Sequence, residues 1–104
     1  MSAEDDLARF LKCIGEPTRL RILKLLAGGE RCAGEIVGAT HREQSLVSHH
    51  LRALRECNIV AMRQEGQKVY YKLADARLAE LVLKSEPLIK ELSLCPPKGA
   101  ANHK

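Results

Sequence analysis

The sequence predicts a mainly α, α+β domain with the element order α-α-α-α-β-β-α. Two observations carry that prediction. Apolar residues recur at helical spacing from Leu7 to Leu54, then alternate with period two between Ile59 and Leu73, then return to helical spacing as far as Leu92. Glycine and proline punctuate the pattern at Gly15, Pro17, Gly28, Gly29, Gly38 and Gly66. A chain of 104 residues has room for one domain, expected at 1–92, with 93–104 as a flexible C-terminal tail.

Segment 5–14 places Leu7, Phe10, Leu11 and Ile14 at i, i+3, i+4 and i+7, one stripe of a helix. Gly15 and Glu16 stop it. Pro17 suits the first turn of the next helix, because its missing N–H has no intrahelical acceptor to lose. That helix, 17–26, spreads Leu20, Ile22, Leu23, Leu25 and Leu26 around most of its circumference, a distribution that belongs at the centre of a domain. Gly28 and Gly29 close it. A short helix is expected at about 32–37, closed by Gly38. Thr40, followed three residues later by Glu43, reads as a capping box opening a helix that runs to about Cys57. Its apolar stripe is Val47, Leu51 and Leu54, edged by Leu46 and Ala53. Its opposite side carries Ser45, Ser48, His49, Arg52 and Arg55.

The strand-like runs are 59–63 and 68–73, joined by a turn at 64–67 that Gly66 supplies. The hairpin has a basic tip and flank in Arg63, Lys68 and Lys72. A last helix from Asp75 to about Leu92 carries Leu78, Leu81, Val82, Leu88, Ile89 and Leu92, with Pro87 kinking it or restarting it behind Ser85 as cap.

Hydrophobic residues at 45% and charged residues at 29% are ordinary for a folded domain and too apolar for disorder. A chain this small buries a modest share of its surface, so a second copy is a natural source of stability. No apolar run is long enough to cross a bilayer, and the first residues are polar and acidic; a cytoplasmic protein with no membrane partner is expected. Seventeen Lys plus Arg against thirteen Asp plus Glu give a net charge of +4, which permits a polyanionic partner without requiring one. Cys13, Cys32, Cys57 and Cys95 contain no C-x-x-C spacing, and in a reducing compartment they stand as thiols. No glycine-rich phosphate loop or nucleophile–base arrangement is present, and His41, His49, His50 and His103 are scattered, so no enzyme is indicated.

What remains is a short helix, a turn, and a second helix with one apolar and one polar face. Such a pair can seat its second helix on the domain and project the other face into a major groove. The exposed groups are chemically suitable. Gln44 can pair with an adenine edge, Ser45, Ser48 and His49 can reach bases or phosphates, and Arg52 can meet guanine or phosphate. Arg63 and Lys68 on the hairpin would lie along the backbone or a minor groove of double-stranded DNA. Helix pairs are common and a polar face is ordinarily just solvated. The pattern alone therefore leaves open a second class, a module that binds another protein.

Three stretches narrow the choice. Glu16-Pro17-Thr18-Arg19-Leu20-Arg21-Ile22-Leu23, the run from Gln44 to Arg55 (Gln-Ser-Leu-Val-Ser-His-His-Leu-Arg-Ala-Leu-Arg), and Gly66-Gln67-Lys68-Val69-Tyr70-Tyr71-Lys72-Leu73, in this order, resemble the ArsR/SmtB family of metal- and stress-responsive repressors. The resemblance spans about residues 7–90. It implies a winged helix-turn-helix homodimer, with first and last helices at the dimer interface, that leaves its operator when an effector binds. The chain departs from the family at the turn, where Glu43-Gln44 stands in place of Ser-Gln.

The family's sensory sites match unevenly. Its zinc- or cobalt-type site on the last helix falls on Asp75-Ala76-Arg77 and Leu88-Ile89-Lys90-Glu91, where both histidines are missing. Its thiol site on the third helix falls on 30–36, where Cys32 remains and Gly34 takes the second position. A third arrangement, two thiols one turn apart late in the recognition helix plus one in the tail, is met by Cys57 and Cys95, with Ala53 at the first position. The resemblance thus implies a thiol site built on Cys57 and Cys95, completed by Cys32 or Cys13. Three soft thiolates would select arsenic(III), cadmium or lead. Two thiols closing into a disulfide would instead make a redox sensor.

Overall fold

The computed structural model describes residues 2–92; the expected tail at 93–104, and Cys95 with it, lies outside the described residues. Five helices and a three-stranded sheet follow in the order α1 (Ala3–Ile14), α2 (Pro17–Leu26), β1 (Arg31–Cys32), α3 (Ala33–Thr40), α4 (Gln44–Glu56), β2 (Val60–Glu65), β3 (Lys68–Leu73) and α5 (Arg77–Leu92). This is the expected order with one addition, β1. Two residues are too short for any period to show. The strand exists because Arg31 and Cys32 pair antiparallel with Tyr71 and Tyr70, giving the sheet order β1-β3-β2.

Local chemistry accounts for most boundaries. The Ser2 hydroxyl accepts from the Asp5 N–H at 3.1 Å while the Asp5 carboxylate accepts from the Ser2 N–H at 3.4 Å, so α1 opens on a capping box. Glu16 caps α2 by accepting from the Arg19 N–H at 2.9 Å, with Pro17 behind it at the first helical position. β2 and β3 pair from Val60↔Leu73 to Glu65↔Lys68, leaving the two-residue turn Gly66-Gln67. Gly66 has φ +62° and Gln67 is not left-handed, the pattern of a hairpin turn with glycine first. The turn is therefore tighter than the four residues expected, and β2 extends two residues further.

The end of α4 is a Schellman motif. The Ile59 N–H donates to Leu54 O and the Asn58 N–H to Arg55 O, both at 2.9 Å, with Asn58 left-handed at φ 60°. Ile59 and Leu54 are both buried, which supplies the apolar contact that goes with this ending.

Three further sequence expectations are corrected, and the choice left open at Pro87 is decided. The third helix does not stop at Gly38; it runs through it to Thr40, and His41 closes it in a left-handed conformation (φ 55°) by donating its N–H to Val37 O. Thr40 consequently caps nothing. It is buried, and its hydroxyl donates back to Val37 O at 3.2 Å, so α4 starts at Gln44 with Glu43 at its cap position. Burial of the threonine methyl outweighed the local capping pattern. The last helix starts at Arg77, because the Asp75 carboxylate accepts from the Arg77 N–H at 2.9 Å from outside the helix. Nor does Ser85 restart it: α5 continues through Pro87, and the Ser85 hydroxyl donates to Leu81 O at 2.6 Å one turn back.

The core is one cluster. Ile22, Leu23 and Leu26 of α2 meet Ile36 of α3, Val47, Leu51 and Leu54 of α4, Ile59 and Val60 leading into β2, and Val82 of α5. The wide apolar circumference of α2 is explained by this position, since α3, α4, α5 and β3 all pack on it. α1 and α5 behave differently: Leu7, Leu11, Leu81, Leu83, Leu88, Ile89 and Leu92 are all exposed.

Candidate nucleic-acid interface

α4 buries Val47, His50, Leu51 and Leu54, spaced i, i+3, i+4 and i+7, and these four positions set the rotation of the whole helix. With that face fixed, Gln44, Ser45, Ser48, His49, Arg52 and Arg55 all point to solvent. Gln44 occupies the first helical position and Ser45 the second. No side-chain hydrogen bond caps the helix at Glu43. Arg52 Nε lies 3.3 Å from Glu56 Oε2, an exposed pair one turn apart that orients the guanidinium along the helix.

The helix is also held by a polar network the sequence did not announce. Arg19 Nε donates to His50 Nδ1 at 3.0 Å, and Arg19 Nη1 donates to the carbonyl of Cys13 at 2.9 Å. Because arginine only donates, Nδ1 accepts, and neutral His50 carries its proton on Nε2, 3.8 Å from Glu16 Oε1. One guanidinium thus ties the end of α1, the start of α2 and the middle of α4. Burial lowers the His50 pKa, with the Arg19 and His49 charges adding and Glu16 opposing. A sequence signal existed in retrospect: a histidine falling on the apolar stripe needs a polar partner inside.

Two residues assigned to the hairpin behave differently. Lys68 is exposed beside the turn. Arg63 is engaged: Nε and Nη2 clasp the two Glu30 oxygens at 2.9 and 2.8 Å, Nη1 donates to Glu65 at 2.6 Å, and the guanidinium sits 4.5 Å from the centroid of the Tyr70 ring. The paired guanidinium holds the Glu30 carboxyl below the usual range. This fork fastens the hairpin to the chain entering β1.

The cysteines divide. Cys32 sits on β1, where its N–H donates to Glu35 Oε1 at 2.9 Å and its strand neighbour is Tyr70. Cys13 is buried at the end of α1 and its thiol donates to Ala53 O at 3.8 Å; Cys57 is exposed at the cap of α4 and its N–H donates to the same carbonyl at 3.1 Å. The structure brings Cys13 and Cys57 together. Among the described residues no three Cys, His, Asp or Glu side chains gather as a metal site, so Cys32 does not join that pair to make one.

The model of the family described as "Bacterial regulatory protein, arsR family" matches residues 16–61, which contain α2, β1, α3 and α4. Over 79 residues the chain is 39% identical to a "Probable mercury resistance operon repressor" of Streptomyces lividans, covering 76% of this chain and 63% of that one. It therefore spans less than two thirds of that relative's length. Over 83 residues it is 39% identical to an uncharacterised HTH-type transcriptional regulator of Methanocaldococcus jannaschii, covering 79% of this chain and 93% of that protein. Among solved structures, the fold superposes with TM-score 0.76 and 34% identity on a homodimeric winged helix-turn-helix DNA-binding domain from Mycobacterium bovis, "a possible ArsR-family transcriptional regulator", covering 89% of this chain and 87% of that one. The helix-turn-helix of α3 and α4, the β2–β3 hairpin that forms the wing, and these likenesses in sequence and shape agree: this chain is a winged helix-turn-helix protein and belongs to the ArsR family of bacterial regulatory proteins.

Proposed function

We propose that this protein is a transcriptional repressor that binds operator DNA as a homodimer and releases it when a thiol-reactive effector arrives. The single observation that carries DNA binding is the division of α4. Its rotation is locked by four buried side chains, while Gln44, Ser45, Ser48, His49 and Arg52 stand together on the solvent side. A helix held that way fits the width of a major groove, with its uncapped first-turn N–H groups free to meet a phosphate. Lys68 would meet the backbone from the wing. The exposed leucines of α1 and α5 support a second copy docking there. A DNA target would place the working protein in the cytoplasm.

For the effector, support comes from the relative named for a mercury resistance operon and from Cys13 and Cys57, which converge on the Ala53 carbonyl at the end of α4. Two thiols are too few for a trigonal set. Arsenic(III), cadmium or lead bound at Cys57 and Cys13 would need a third sulfur, from Cys95 beyond the described residues or from a partner copy.

The test is binding to the duplex upstream of the protein's own gene across a salt series. Affinity should fall steeply as salt rises, because lysines and arginines release counterions from phosphate. Affinity that ignores salt, or is absent for every duplex tried, rejects the reading in favour of a protein-binding module. Titrating anaerobic protein with each ion then checks the effector: thiolate-to-metal absorption should grow with loss of DNA binding, and Cys57→Ser should abolish both.

A further inference from the structure

We propose that Cys13 and Cys57 form a dithiol–disulfide couple, closed by a hydroperoxide, that staples the last turn of α1 to the C-terminal cap of α4 and weakens DNA binding. The inference rests on the reading above that α4 meets DNA and that the thiols respond.

Both residues converge on one backbone atom. The Cys13 thiol and the Cys57 N–H donate to the carbonyl of Ala53 at 3.8 and 3.1 Å. Burial first, then the neighbouring Cys57 side chain, push the Cys13 thiol up to about 11. The two differ in access. Cys13 is buried, whereas Cys57 is exposed and opens on a cleft of about 470 Å³ between Phe10, Asp75 and Leu78. Arg19 Nη1 lies 4.0 Å from the Cys13 sulfur, a cation placed where thiolate character develops.

The roles follow from access. The Cys57 thiolate attacks one peroxide oxygen; the S–O bond forms, the O–O bond breaks and hydroxide leaves, giving a sulfenic acid. The Cys13 sulfur then attacks the Cys57 sulfur. The S–S bond forms, the S–O bond breaks, and the departing hydroxide takes the Cys13 proton as water. Two thiols lose two electrons and one hydrogen peroxide becomes two waters. A disulfide needs its sulfurs about 2.0 Å apart and its Cα atoms within roughly 7 Å. Closing the bond fixes the cap of α4 to the last turn of α1. Because Asn58 and Ile59 clamp that cap to the last turn of α4, the constraint passes to the whole helix.

The experiment treats the reduced full chain with an equivalent of hydrogen peroxide, blocks remaining thiols and maps peptides without reduction. The expected product is a cross-link within one chain, the Cys13 peptide joined to the Cys57 peptide, two hydrogens lighter and reopened by dithiothreitol. Cys13→Ser should stop at a Cys57 sulfenic acid that dimedone captures. Cys57→Ser should leave Cys13 unoxidised. DNA binding of the cross-linked form should be about tenfold weaker and recover on reduction. Pairing of Cys57 with Cys32, Cys95 or the Cys57 of a second copy, or Cys13 still fully alkylated after peroxide, overturns the couple. A cross-linked chain that binds DNA as tightly as the reduced one overturns its link to α4. A cross-link in a protein with no affinity for any duplex leaves the couple standing and rejects the DNA reading instead.

Discussion

Arg19 Nε donates to His50 Nδ1 at 3.0 Å, joining the first turn of α2 to the buried side of α4. The histidine thereby acts as a neutral acceptor. Protonating Nδ1 would place a second positive charge against a guanidinium, inside a pocket that already disfavours the charged form.

This fixes the sign of a pH effect. Folded His50 holds its proton less tightly than unfolded histidine, so over the interval between the two pKa values the unfolded chain binds more protons and stability rises with pH. The contribution is complete above the unfolded value of about 6.5 and fades as pH falls below it. Thermal melts of the wild type should therefore lose more between about pH 7.5 and pH 5.5 than melts of His50→Asn, which keeps an acceptor near Nδ1 and does not titrate. Equal losses in the two proteins would mean that His50 is not the group responsible.

Arg19→Ala removes both the bond to His50 and the bond to the Cys13 carbonyl. A loss of about 2 kcal/mol in urea unfolding is expected, since hydrogen bonds to charged groups are worth that order. Arg19→Lys should recover little of it, because one ammonium cannot span two acceptors that the planar fork reaches together.

Asn58 offers a backbone test. At φ 60° it sits where glycine is free and a β-branched side chain is strained. Asn58→Gly should unfold at nearly the same urea concentration as the wild type. Asn58→Val should cost about 1–2 kcal/mol and loosen the α4 ending, read as faster amide exchange at Ile59.

The DNA-facing assignment predicts a separation of affinity from stability. Ser48→Ala combined with His49→Ala should weaken operator binding roughly tenfold with little change in melting temperature, as both side chains are exposed and His49 meets the core through an edge contact with the His50 ring. Unchanged affinity at matched salt counts against that face.

The two wing cations should respond differently. Lys68→Ala should lower the slope of log affinity against log salt by about one, as expected for one lost phosphate contact. Arg63→Ala should instead free Glu30 and Glu65 and speed amide exchange in β2 and β3, because its guanidinium is engaged within the protein.

Element type and order could be read along the chain because both depend on periods of two and 3.6 residues, which neighbouring side chains impose locally. The stripe Val47, Leu51 and Leu54 was enough to orient α4, and with it every candidate contact from Gln44 to Arg52. Tertiary structure decided whatever depends on residues distant in sequence. β1 exists only because Arg31 and Cys32 meet Tyr71 and Tyr70. Arg63 turned from a free cation into a clasp once Glu30 came alongside, and Cys57 lies beside Cys13 rather than Cys32 across the Ala53 carbonyl. Thr40 shows the two levels in conflict: its spacing to Glu43 suits a helix cap, yet the core took the side chain inward and moved the start of α4 to Gln44. A capping bond is worth about 1 kcal/mol, and packing against α2 can outbid a preference of that size.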